Sequence, residues 1–180
     1  MTKGCASLRK ALSRLICPPE GAEVTWLDDQ VRQLAGAKAR HPHSIALHMH
    51  AMKADREGNC FMNALGIVSD DVRHLCLGRI FPGADFVASL LTSGLRTQCV
   101  EFSKRVDGDV VIYFDHRGRP THAGICAGGK VVSKWGSGLT HIWKHHIWEI
   151  PSEYGDRVEV FRPLTKAKAV SAFEEWANAQ

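Results

Sequence analysis

Two residues in this chain have the types and settings for nucleophilic chemistry on an acyl group. Cys60 ends the polar run Asp55-Arg-Glu-Gly-Asn59, and Phe61, Ala64 and Leu65 follow at helical offsets, which predicts a cysteine at or near the first turn of a helix. Unpartnered amides and the positive helix end there favour a thiolate, lowering a thiol pKa that starts near ~8.5. His122 stands at the mouth of the run Thr121-His-Ala-Gly-Ile-Cys126, flanked by small residues that leave room for another group to approach. An imidazole takes the thiol proton, the thiolate adds to the acyl carbon, the imidazolium protonates the leaving amine, and water clears the thioester. The Cys60 amide is a candidate donor to the oxyanion. This chemistry requires an accessible Cys60 within roughly hydrogen-bond reach of His122, somewhat looser in an empty site.

A third polar group has to hold the imidazole. Ser133 and Lys134 lie on the strand expected after the histidine, and His141, His145 and His146 lie on the segment after that. The other cysteines (Cys5, Cys17, Cys76, Cys99 and Cys126) read as small buried hydrophobes, because no CxxC pair or secretory leader marks them for zinc or disulfides. The two His-x-His pairs, His41/His43 and His48/His50, invite a metal reading. Nothing acidic or cysteinyl completes a tetrahedral set at a familiar spacing, so no metal and no cofactor are expected.

Around these residues the chain divides by hydrophobic period. Helices are expected over 8–16 (Leu8, Leu12, Leu15 and Ile16), over 25–39 with Thr25 as cap, from Cys60 onward, over 84–95 closed by Gly94, and over 165–179. From Gly108 the period changes to two: runs at 108–114, 121–126 and 130–136, separated by glycine-bearing turns, read as an antiparallel meander, with a last strand at 157–161. Val131, Ser133 and Trp135 share one face of their strand, with Val132 and Lys134 on the other. At 180 residues the chain is one domain, with an N-terminal helical extension over 1–50, a core over 58–163 and a C-terminal helix over 165–178. No apolar run is long enough to cross a membrane. The formal charge of +4 comes from scattered residues without a basic stripe, so no nucleic-acid partner is expected.

Asn59-Cys60-Phe61-x-Asn63-Ala64, Gly108-Asp109-Val110-Val111 and Thr121-His122-Ala123-Gly124-Ile125 together resemble the NlpC-type and CHAP-type cysteine peptidases of the papain-like superfamily. Ser133–Gly136 and Pro151–Gly155 are similar to segments of an uncharacterised branch of that superfamily. The resemblance covers roughly 58–163. It implies an α+β, papain-like fold with the nucleophile at a helix start packed on a C-terminal antiparallel sheet. It also implies Cys60 as nucleophile and His122 as base. The family takes its third polar residue from the next strand, which matches Ser133 to within one residue. Serine departs from the usual His, Asn, Gln or Glu, so His145 or His141 is the alternative. Asn59 and Asn63 would frame the oxyanion site or hold the loop, and Trp135, Trp143 or Trp148 would line a substrate groove or pack in the core.

The expected activity is a thiol hydrolase cleaving an amide bond in a peptide, with a peptidoglycan stem peptide as one substrate class. Acyl transfer to an amine uses the same pair. The alternative from another class is a non-catalytic papain-like module that binds a peptide or protein, with Cys60 incidental. The start of the chain lacks a classical signal peptide, which points to the cytoplasm, or to export by a secretion machine as a toxin countered by an inhibitor or immunity protein.

Overall fold

The strand-rich half folds as read. β3 (Val110–Phe114), β4 (Pro120–Ala127), β5 (Lys130–Lys134) and β6 (Ile142–His145) form an antiparallel meander. β7 (Arg157–Phe161) returns to the free side of β3. The edges are β1 (Ala46–Met49) on β6 and β2 (Cys99–Val100) on β7, giving the order β1-β6-β5-β4-β3-β7-β2. This computed structural model describes residues 3–15, 23–51, 58–68, 70–72, 80–93 and 98–180. The expected cap at Gly94 lies outside the described residues.

Both faces of the sheet are covered. On one pack α3 (Cys60–Leu65), α4 (Ala84–Ser93) and α5 (Lys166–Asn178), where Phe61, Phe86 and Phe173 meet Val110, Ile112, Phe114 and Ala123. Phe86 and Phe173 meet edge to face, their ring centroids 5.2 Å apart. On the other face α1 (Lys3–Leu12) and α2 (Glu23–Lys38) bring Leu8, Leu12 and Leu34 against Val111, Tyr113, Val131, Trp135 and Trp143. β3 therefore alternates between two cores, and all five of its residues are buried. The protein is a mixed α+β fold with N-terminal helices and an open antiparallel sheet in the C-terminal half. α1 and α2 cover one sheet face, and β1 supplies an edge strand.

Two helix boundaries differ from expectation. α2 begins at Glu23, so Thr25 lies inside it and not at its cap. The first helix ends at Leu12 and tightens into a 3₁₀ turn at Ser13–Leu15, a common way for a helix to finish.

Helix α1 is tied to the sheet by a buried cation. Arg9, 4% exposed, donates to the carbonyl oxygens of Ile150 (3.3 Å), Pro151 (3.5 Å) and Gly155, and its guanidinium lies 5.7 Å from the Trp148 ring. Gly155 has φ 90°, and a Cβ there would fall 2.0 Å from the Phe114 carbonyl oxygen. Gly155→Ala is expected to destabilise the protein by about 3 kcal/mol through strain and backbone overlap, read as a lower urea midpoint with unchanged m-value.

Candidate thiol and histidine site

Cys60 occupies the first position of α3. Asn59 caps the helix, its side-chain oxygen accepting from the Met62 N–H (3.0 Å) while its amide group donates to the Pro82 carbonyl (3.1 Å). Both ends of Asn59 are thus engaged in holding the loop, and the Gly138 N–H donates to the Gly58 carbonyl beside it (3.0 Å). Pairing between β4 and β5 stops at Ile125–Val132, and the Ala123 backbone, two residues earlier on β4, interacts with the Cys60 thiol. The backbone of Phe61 and of Cys60 itself also favours the thiolate, as does the charge of the buried Lys134. Burial outweighs them all and pushes the thiol up to about 11. Cys60 is 8% exposed.

His122 is not its partner in this arrangement. Successive residues of a strand face opposite ways, and Ala123 belongs to the core that contains Cys60. His122 pairs across the sheet with Tyr113 and shares the other face with it. Its ring stacks on Tyr154, centroids 3.8 Å apart and 2° from parallel. The imidazole is wholly buried, and neither nitrogen has a hydrogen-bond partner. Burial, with His145 nearby, holds its pKa well below the ordinary value, so the ring is neutral.

Ser133 and His145 meet each other instead of His122. His145 Nδ1 lies 2.7 Å from the His146 carbonyl and must donate to it, which leaves Nε2 as acceptor for the Ser133 hydroxyl at 2.9 Å. Ser133 Oγ in turn accepts from the Trp135 indole N–H at 3.1 Å. The chain Trp135–Ser133–His145–His146 is complete. A hydroxyl bonded to an imidazole whose second nitrogen meets a carbonyl has the connectivity of an activated serine. Yet Trp135, Ser133 and His145 are each 0% exposed, and no acyl group can reach them. Burial lowers the His145 pKa to about 4.

The remaining expectations divide in the same way. His141 accepts from the Ala51 N–H (2.9 Å) and donates to the Leu27 carbonyl (3.1 Å), joining the end of β1 to α2, so it does not orient His122. Trp135 lines no groove because it is sealed in the core. Asp109, of the Gly-Asp strand, is 1% exposed and receives Arg162 in a two-oxygen contact at 2.8 and 2.7 Å. His43 bridges the Leu34 carbonyl and the Ile45 N–H, and no cluster able to hold a metal ion occurs among the described residues. Sequence reasoning missed Tyr154 as the partner of His122. The signal available was its place in the Pro-x-x-Tyr-Gly turn, whose fold back onto β4 is a long-range event.

Two outcomes follow from this geometry. Ser133→Ala leaves the His145 and Trp135 nitrogens unpaired in the core and is expected to cost about 1–3 kcal/mol in urea unfolding. His122 and His145 are neutral when folded but titrate near ~6.5 when unfolded. The unfolded chain therefore binds the extra protons. Stability should be full above about pH 6.5 and fall toward pH 4, by up to about 1.4 kcal/mol per pH unit for each histidine, with His122→Phe flattening the slope. No family model, curated protein or solved structure matches the chain.

Proposed function

We propose that this chain is a papain-like scaffold that binds a peptide or protein partner without turning it over, Cys60 and His122 serving its packing. The observation behind this reading is the parity of β4: Ala123 meets the thiol on one face while His122 stacks on Tyr154 on the other. A thiol held near 11 is almost wholly protonated at neutral pH, and a neutral imidazole with no reach to it cannot take its proton. Asn59, Ser133, His145 and Trp135, the other residues expected at a catalytic centre, all have their polar groups committed to internal hydrogen bonds.

One observation favours the other reading, a thiol amidase or acyltransferase with Cys60 as nucleophile and His122 as base. A buried imidazole with two unpaired nitrogens costs stability of about 1–3 kcal/mol for each unmet group, and groups left unmet in this way are found where chemistry needs them. In that reading the thiol and the ring meet only after β4 turns His122 to the face of α3, and a peptide amide is the substrate.

Alkylation with iodoacetamide as a function of pH decides between them, because Cys99 provides a free, exposed thiol for comparison in the same molecule. The scaffold reading expects Cys60, buried and almost wholly protonated at pH 7.5, to react far more slowly than exposed Cys99, and to be unaffected by His122→Ala. A fast Cys60, titrating below ~8.5 and slowed by His122→Ala, overturns it in favour of the amidase.

A further inference from the structure

α1 and α2 lie side by side and leave an open groove of about 420 Å³ between them. The two walls are Ser7, Lys10, Ala11 and Arg14 from the first helix and its 3₁₀ turn, and Gln33, Gly36 and Ala37 from the second helix with Arg40 from the turn that follows it. The floor is apolar: Ala11, Leu12, Leu15 and Ala37 line it, and the two leucines are buried. The rim is cationic: Lys10, Arg14 and Arg40 are exposed, and His41 stands beside them half-buried. Among the described residues no carboxylate lines the groove, and none of these three cations forms an ion pair.

Gly36 adds an independent sign. A glycine inside a helix costs roughly 1 kcal/mol relative to alanine, and such a residue is ordinarily explained by a neighbour that needs the space. Here no described residue lies within 4 Å of where its Cβ would be. The space it leaves open belongs to the groove.

We propose that this groove is the binding site for an acidic peptide segment that carries apolar side chains, which deepens the scaffold reading above by naming the surface and the class of partner. The cations stand along both walls and do not converge on one point, which suits carboxylates spaced along an extended chain. The apolar floor seats the side chains between those carboxylates. Nucleic acid fits less well, since among the described residues no Phe, Tyr or Trp lines the groove to stack on a base.

Fluorescence anisotropy on the full chain tests it, with a labelled synthetic peptide in which Glu alternates with Leu. Controls are the same peptide with Gln for Glu and a labelled oligo-dT of equal charge. The proposal expects saturable binding of the Glu peptide that weakens with salt, and a loss of about tenfold in Lys10→Glu/Arg14→Glu, the sum of two modest surface ion pairs. Arg40→Glu should weaken binding from the opposite wall. Gly36→Met, which fills the floor without changing charge, should weaken it as well. Absent binding, equal affinity for the Gln peptide, tighter binding of oligo-dT, or indifference to all three variants would overturn the groove. These results are separable from the alkylation result, because none of the four substituted positions lies near Cys60.

Discussion

The two-residue period of β4 is the constraint on which this structure turns. β4 lies at the middle of the seven described strands, between β3 and β5, and each step along it exchanges one core for the other. Ala123 and Ile125 belong to the side of α3, α4 and α5, whereas His122 and Cys126 belong to the side of α1. Gly124 is needed at its place because a Cβ there would lie 2.6 Å from a Val131 methyl and 2.9 Å from the Ser133 Cβ. A one-residue slip would reverse every one of these assignments at once. The same parity that makes two good cores separates the thiol from the imidazole.

The C-terminal half was legible in the sequence for a local reason. Alternation, with Gly128-Gly129 and the other turn residues between the runs, located β3, β4 and β5 within two residues of their ends, and the shared face of Val131 and Trp135 followed from the same alternation. The start of α3 at Cys60 was legible too, because a polar loop ran directly into helical spacing. What could not be read was which face of β4 would meet α3. Both faces are flanked by apolar residues, so neither shows a polar side that would mark solvent. The partners that decide it, Tyr154 and the Cys60 helix, lie far from His122 in the chain. The groove between the first two helices was hidden for a related reason: Lys10, Arg14 and Arg40 look scattered until two helices set them opposite one another.

The buried histidines show how much a backbone can do to make an imidazole inert. His43, His141 and His145 each have one nitrogen on a carbonyl oxygen and the other on a backbone N–H or a hydroxyl. Each is thereby held to one neutral tautomer and acts as a rigid cross-link. His122 is the exception, held by aromatic stacking alone. Stacking fixes the plane of the ring but assigns its proton to neither nitrogen.

The Arg9 contacts have a consequence for the order in which the molecule comes together. The guanidinium is made in the first helix, while the carbonyls it satisfies belong to a turn 141 to 146 residues later. At ribosomal speeds of about 5–20 residues per second, the cation waits on the order of ten to thirty seconds for its acceptors. During that interval α1 has neither its carbonyls nor the Trp143 and Trp135 surface to lie on. α1 is therefore synthesised well before the surface it docks on, and the nascent chain carries this helix undocked until nearly the whole sheet has emerged.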